Sequence, residues 1–335
     1  MGSVCGRCRR LSFELTVVLR VGLVGYGYWG PNYARLLRES GRATLSWCCD
    51  LSESARAAAK QHDPAVKTTS NLDELLEAND CDAIIVVVPT VHHYAVTKHI
   101  IEAGKHVLVE KPLTATSEEA RDLLALPHDD GTIRMVGHVY LYNPAVRYIR
   151  EAVARGTLGA LRYLGASRIG FSPKRDDVDA LWDLSPHDIS MVLHLLGKMP
   201  ASVSAFSHAY LRQDRADVVL STMLFPGGQI ADMQASWDTP FKQRRLTVVG
   251  EKQSLIFDDV AAEKLSLYES TAAGAPAQTV PIPAAEPLGS QLDHFLDCIE
   301  NGAAPLTPFR DGLDVVTVLE ALSHSAATRS TVTLA

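Results

Sequence analysis

The chain has little cysteine, no excess of basic charge and no long apolar run, and each shortage excludes a class of protein. Six cysteines spread over 335 residues are too few and too scattered for a disulfide framework. Cys5 and Cys8 stand at the spacing of half a zinc site, but no second such pair or paired histidine follows, so no metal is expected. Cys48 and Cys49 adjoin in an expected strand, where neighbouring side chains point to opposite faces. Reduced thiols in a cytoplasmic protein are the expectation. Lysine and arginine total 32 against 39 acids, a net charge of −7. The basic footprint that nucleic-acid phosphates require is therefore missing. No apolar run reaches the roughly 18 residues of a membrane span. What is present, 47% hydrophobic and 21% charged residues, is ordinary globular composition, long enough for about two domains at roughly 150 residues each.

The first seventeen residues hold Arg9-Arg10 and Phe13, the beginnings of a twin-arginine export signal. The apolar stretch after them runs straight into Leu19–Gly25, which is needed as the first core strand, so no cleavage site fits. Residues 1–17 are read as an N-terminal extension.

From Val18 the pattern alternates. Strands are expected at Val21–Val24, Leu45–Asp50, Asp82–Val88, His106–Glu110 and Ile133–Val136. Helices are expected at Asn32–Ser40, Glu53–Gln61, Asn71–Ala78 (with Asn71 as cap), His93–Ala103 and Ser117–Leu126. The unbroken run Ala83-Ile84-Ile85-Val86-Val87-Val88 is what a strand buried on both faces of a parallel sheet looks like. The fold class is α/β, a doubly wound parallel sheet over residues 18–137. Residues 138–335 then read as an α+β domain. Asn143-Pro144 opens a helix, and one further helix, Pro186–Leu196, interrupts successive alternating strands that imply a largely antiparallel open sheet. Two helices close the chain, and Ala272–Pro287, rich in alanine and proline, reads as a loop.

Gly25-Tyr26-Gly27-Tyr28-Trp29-Gly30 is a GxGxxG between an expected strand and helix, the context in which that motif binds a dinucleotide. Gly25 permits the turn, Gly27 admits a pyrophosphate, and Gly30 lets the helix pack closely. Asp50 ends the next strand twenty residues after Gly30. A carboxylate there accepts from both ribose hydroxyls and repels a 2′-phosphate, favouring NAD. Arg56 is the opposing detail, since it could reach the phosphate of NADP, and Asp50 could instead cap the next helix.

Lys111 follows a strand at the carboxyl edge of the sheet, and Pro112 fixes its backbone. A held ammonium there can stabilise the alkoxide that forms before a hydride leaves; otherwise it is a solvated surface lysine. In Asp183-Leu184-Ser185-Pro186-His187, Ser185 suits an N-cap and Pro186 the first helical position. That places His187 in the first turn, where the helix dipole disfavours imidazolium. Asp183 could orient the ring. Ile189, Val192, Leu193 and Leu196 form the apolar face, and His194, opposite it, is assigned to solvent. His187 itself is either base or part of the same wet face.

The glycine loop, Glu110-Lys111-Pro112 and Asp183-x-x-x-His187 together resemble the Gfo/Idh/MocA family of glucose–fructose oxidoreductase and inositol dehydrogenases. The resemblance implies Lys111 and His187 as the acid/base pair with Asp183 as orienter. It also implies a cofactor site of Gly25, Gly27, Tyr28, Trp29, Gly30, Asp50, Pro89, Thr90, His93, Glu110 and Lys111. The segments Gly137–Pro144 and Arg175–Trp182 are similar to the branch acting on nucleotide-activated sugars at C3, which adds Asn143 and Arg175 to the substrate site. Lys174 beside Arg175 could serve a diphosphate, or be solvated. A tyrosine replaces the histidine in some C3-ketoreductases, so His187 leans toward a dehydrogenase, with Tyr140 or His138 the next bases to consider. The alternatives are a cyclitol or aminocyclitol dehydrogenase and a sensor that binds dinucleotide without turnover. The family also implies a homodimer or homotetramer through the open sheet.

Overall fold

The computed structural model describes residues 18–127, 131–171, 175–269, 274 and 276–334; the N-terminal extension with Cys5, Cys8 and Arg9-Arg10, and Lys174, lie outside them. Six parallel strands, β1 (Leu19–Val24), β2 (Ala43–Cys49), β3 (Lys67–Thr69), β4 (Ala83–Val86), β5 (His106–Glu110) and β6 (Arg134–Gly137), form the first sheet. Their order is β3-β2-β1-β4-β5-β6, so the chain reverses direction between β1 and β4 and leaves a crevice at their carboxyl ends. Every residue of β4 is buried. Helices α1 (Gly30–Ser40), α2 (Glu53–His62), α3 (Leu72–Leu76), α4 (His93–Glu102) and α5 (Ser117–Ala125) flank the sheet. Their starts are written in the sequence: the Ser52 and Asn71 side chains accept from Ala55 and Asp73 N–H, and Thr116 with Glu119 forms a capping box. The sequence pattern missed β3, a three-residue edge strand whose pairing with Trp47–Cys49 makes it.

The second sheet holds nine strands: β7 (Leu161–Ile169), β8 (Ser202–His208), β9 (Val218–Leu224), β10 (Ile230–Ser236), β11 (Gln243–Gly250), β12 (Ser254–Asp258), β13 (Leu265–Tyr268), β14 (Gln278–Thr279) and β15 (Val332–Thr333). They run in the order β14-β13-β12-β11-β7-β10-β9-β8-β15. All neighbours are antiparallel except β7 and β10. β14 lies inside the stretch read as a loop. The remaining helices are α6 (Pro144–Ala154), α7 (Ala180–Leu196), α8 (Pro287–Asn301) and α9 (Phe309–Thr328). α8 returns to the first sheet, with Leu288, Leu292, Phe295 and Leu296 in its core. α9 serves both, with Phe309, Leu313 and Val316 on the first sheet and Val318, Leu319 and Leu322 on the second.

α7 corrects the sequence reading. It begins at Ala180, not Pro186, with the Asp179 carboxylate accepting from the Trp182 N–H at 3.0 Å. Pro186 sits inside it. The forfeited hydrogen bond to the Trp182 carbonyl is a real cost, and burial of Ala180, Leu181 and Leu184 offsets it. His187 is consequently two turns from the helix start, out of reach of the dipole effect expected for it. Nor is α7 one-sided: Asp188, Ile189, Ser190, Met191 and Val192 are buried in succession.

One contact fixes this helix against β7. Arg168 and Asp188, 3% and 2% exposed, meet with Nη2 donating to Oδ1 at 2.8 Å and Nε to Oδ2 at 3.1 Å. Removing one member of such a buried pair strands the other charge, whereas removing both need not destabilise. Arg168→Met and Asp188→Leu should each cost about 3–5 kcal/mol in urea unfolding, and the double variant much less than their sum. Additive losses would show that the pair does not act as a unit.

Candidate active site

The three glycines of the first loop are required for three different reasons. Gly25 has φ +97°, and a Cβ on it would lie 2.8 Å from the Val87 carbonyl oxygen. A Cβ on Gly30 would lie 2.8 Å from the Gly25 carbonyl oxygen as α1 leaves β1. A Cβ on Gly27 would meet nothing within 4 Å: it faces open space, the cradle that a pyrophosphate needs and a side chain would fill. Asp50 is held at the far side of this loop, accepting from the Tyr26 N–H at 2.6 Å and the Ser52 N–H at 2.8 Å. Fixed by two backbone donors, its remaining lone pairs can take ribose hydroxyls. Arg56 is turned back onto the carbonyls of Asp50 and Leu51, at 2.7 and 3.0 Å. Tyr28 and Trp29 stand exposed on the loop, ring edge to ring face at 5.8 Å.

Two residues expected at the cofactor face inward. His93 is 1% exposed, with Nδ1 2.7 Å from the Pro112 carbonyl and Nε2 2.9 Å from the Val88 carbonyl; it fastens the end of β4 to the end of β5. The Glu110 carboxylate accepts from the Tyr33 hydroxyl at 2.7 Å and the Lys111 N–H at 3.1 Å. Tyr33 in turn accepts from Gln291 on α8 at 2.8 Å. Asn143, assigned to the substrate, is 7% exposed, and its Oδ1 caps α6 by accepting from the Ala145 N–H at 2.9 Å. Its Oδ1 is committed to the helix.

Lys111, on a cis Lys111–Pro112 bond, reaches across to the second sheet's layer. Its Nζ donates to the Asp183 carbonyl at 2.7 Å and lies 3.7 Å from Asp183 Oδ1. The Asp183 carboxylate also accepts from Trp237 Nε1 and from Arg175 Nη1, both at 3.2 Å. Asp183 therefore orients the lysine, not the His187 ring. Arg175 bonds Asp177 as well, at 2.9 Å from Nε, and Asp177 Oδ2 accepts from the Thr90 N–H at 3.4 Å. Thr90, next to Pro89, is thereby linked to the site through its backbone.

His187 packs on the Tyr140 ring, centroids 5.1 Å apart. The Arg168 guanidinium also lies 4.2 Å from the centre of that ring, and the Tyr140 hydroxyl donates to Asp259 at 3.0 Å. The sequence reading did not find Arg168, Asp188, Asp177 or Trp237. Arg168 was findable: it shares strand phase with Leu164 and Ala166, both buried, and an arginine on the core face of a strand is a signal. Burial lowers the Lys111 ammonium's pKa. Burial and then the Lys111 and Arg168 charges hold His187 well below the ordinary imidazole value. The neutral ring that the helix dipole was expected to give His187 comes instead from desolvation and two neighbouring cations.

His93, His138 and His187 all bind protons less readily than free imidazole, His138 at about 3 because of burial and then Lys111. The unfolded chain takes up those protons below pH 6.5 and the folded chain does not, so their contribution falls as pH falls from 6.5. Asp311, pushed up to about 6 by burial and then Asp314, works in the opposite sense, losing its contribution as pH rises through 6. His138→Leu should make the stability lost between pH 7 and pH 5 smaller by about 2 kcal/mol. Urea midpoints at the two pH values measure this, and an unchanged pH slope would refute it.

Residues 19–138 match the sequence model described as the oxidoreductase family with an NAD-binding Rossmann fold, and residues 146–256 match the GFO/IDH/MocA C-terminal domain. The chain is 29% identical over 302 residues to the UDP-N-acetylglucosamine 3-dehydrogenase of Acidithiobacillus ferrooxidans, covering 88% of this chain and 92% of that one. A solved structure of that enzyme superposes with a TM-score of 0.83, covering 92% and 98% of the two chains at 26% identity. GenD2 from gentamicin A biosynthesis, in complex with NAD, gives 0.84 at 26% identity over the full length of both. The NAD-dependent scyllo-inositol 2-dehydrogenase of Bacillus subtilis is 26% identical, covering 86% of this chain and 88% of its own.

Proposed function

The chain belongs to the Gfo/Idh/MocA family of oxidoreductases with an NAD-binding Rossmann fold, and from that membership we propose that it oxidises or reduces a ring carbon of a sugar, C3 of a nucleotide-activated sugar. The observation that carries this reading is Lys111, its ammonium held at 2.7 Å by the Asp183 carbonyl at the mouth of the glycine-loop crevice, with His187 close enough to feel its charge. Similarity to an enzyme named for UDP-N-acetylglucosamine supports the nucleotide-linked substrate.

In this reading the glycine loop holds the pyrophosphate of NAD, and Asp50 holds the adenosine ribose. Bound NAD supplies the hydride acceptor. Lys111 donates to the substrate oxygen and stabilises the alkoxide as it forms. His187, neutral on entry, takes the hydroxyl proton. Arg175, still one-third exposed while bridging Asp177 and Asp183, is placed to meet a diphosphate or carboxylate on the substrate.

The open face of the second sheet supports a homo-oligomer. Phe206, Leu220, Leu224, Ile230 and Tyr163 are exposed, and strand register puts all five on one face. Cys48, Cys49, Cys81 and Cys298 are free thiols, which suits a cytoplasmic setting.

A panel of nucleotide sugars, free sugars and inositols, followed at the NADH absorbance, tests the substrate. Turnover confined to inositols would replace the nucleotide-sugar reading, and tight NAD binding with no turnover on any of them would make the protein a sensor. Lys111→Ala and His187→Ala should each lower kcat by ~10²–10⁴-fold with NAD affinity nearly kept. Their losses should not add, because both serve one proton transfer. Full turnover of His187→Ala at saturating substrate would remove it from the mechanism.

A separate expectation concerns the cofactor. Asp50→Ser should narrow the preference for NAD over NADP by about tenfold, or about 1.4 kcal/mol. Binding titrations with both dinucleotides decide it; a parent enzyme that prefers NADP would show that Asp50 is not the ribose acid.

A further inference from the structure

Two histidines of the site carry enclosed ring nitrogens without a well-formed hydrogen bond. In His187 it is Nδ1 alone. His138 is 0% exposed and both its nitrogens are enclosed, with the Asp311 backbone lying against the ring. Each such orphan costs about 1–3 kcal/mol unless a water satisfies it. Behind His138 lies a cavity of about 340 Å³, lined by Arg150, Ser190, His194, Asp311 and Asp314 among others. Leu141, Leu193, Met199 and Val315 complete its wall, so polar groups line only part of it, and it is large enough for several waters. Ser190 lies one turn beyond His187, and its hydroxyl donates to the His187 carbonyl at 2.8 Å. The cavity thus reaches the far side of the segment of α7 that carries the base.

We propose that His138 and this cavity carry protons between His187 and solvent, a second opening to the site used by protons alone. The proposal rests on His187 being the base. In oxidation the hydride leaves the substrate carbon with its electron pair for the nicotinamide, and the hydroxyl proton goes to His187 Nε2. The proton on Nδ1 then passes through a bridging water to one nitrogen of His138. His138 releases the proton on its other nitrogen to water in the cavity, and both rings return to neutrality. One proton leaves for each hydride transferred. Reduction runs the same path inward.

The chemistry of the groups suits this use. A neutral imidazole can accept on one nitrogen as it gives up from the other. Both rings are kept neutral, by burial and then by the Lys111 ammonium. At the cavity, Asp311 has a proton affinity close to neutrality, at about 6. The other charged groups there are largely committed: Lys198 donates to Gln229 at 2.8 Å, and Asp314 accepts from Arg310 at 3.2 Å. A path of this kind would give the proton an exit that does not depend on departure of sugar or dinucleotide from the cleft.

The test uses His138→Leu in the full-length enzyme with NAD and UDP-N-acetylglucosamine, or scyllo-inositol if that is the compound oxidised. In dilute buffer kcat should fall about tenfold, less than the ~10²–10⁴-fold expected for loss of the base itself. KM for both substrates should hold, and added imidazole or formate should restore the rate. A substrate-free measurement runs beside it: the ring N–H of His187 in unliganded, ¹⁵N-labelled protein should exchange with solvent more slowly in His138→Leu than in the parent. Full kcat and unchanged exchange in the variant would overturn the proposal. A lost rate that no small buffer restores would also overturn it, making His138 scaffold. If His187→Ala keeps its kcat, the base assignment fails and the path with it; if His187→Ala is slow while His138→Leu is not, the path alone fails.

Discussion

The site depends on one constraint, a lysine ammonium held almost out of water between two sheets. Lys111 has a side chain only 9% exposed, and a buried charge is tolerated only when its donors are met. The Asp183 carbonyl accepts one of them, the carboxylate at 3.7 Å supplies the opposite charge, and that carboxylate is itself fixed by Trp237 and Arg175. Arg175 continues to Asp177, and Asp177 to the backbone of Thr90 just beyond β4. His93 then joins the Val88 and Pro112 carbonyls, closing the circuit from β4 back to the Lys111-Pro112 turn. The links hold the carboxyl ends of β4 and β5 at a fixed distance from α7. A change at Asp177 or His93 therefore reaches the lysine without touching substrate.

That arrangement also bears on the charge of His187. Lys111 and Arg168 lower the proton affinity of His187 after burial has done so, and the one carboxylate nearest the lysine is turned away from the ring toward Trp237 and Arg175. Had Asp183 bonded His187, as the sequence spacing invited, it would have favoured imidazolium and raised the ring's proton affinity. Where a single aspartate points thus decides that Lys111 gains its carboxylate and His187 does not.

The parallel sheet and the glycine loop were legible because each is encoded locally. The all-buried β4 run, the caps at Ser52 and Asn71, and the three glycines state their roles within a few residues. The substrate side was legible only in its residue types. Ser185-Pro186 is locally a good helix start, and nothing nearby says that Asp179 caps six residues earlier or that packing offsets a proline inside the helix. His93 and Glu110 have the chemistry of ligand-binding residues, but backbone carbonyls and Tyr33 claim them first, and α6 takes the Oδ1 of Asn143. Such claims are made across about 20 to 80 residues for His93 and Glu110, a range that periodicity does not see.

α7 shows why the buried polar groups cluster where they do. A helix surrounded by core on nearly every side cannot send its polar residues to water, so each must be matched where it stands. Asp188 is matched by Arg168, Asp183 by Lys111, Arg175 and Trp237, and Ser190 by the His187 carbonyl. The Arg168 charge, brought in for Asp188, then covers the Tyr140 ring on which His187 rests. Holding the helix and placing His187 are thus one set of contacts. His187 Nδ1 and His138 stand outside that matching, in a helix neighbourhood where every other functional polar group named here has found a partner. They share that condition with Ser167 Oγ and Arg244 Nη1, and enclosed polar atoms of this kind are where a buried water is accommodated most readily.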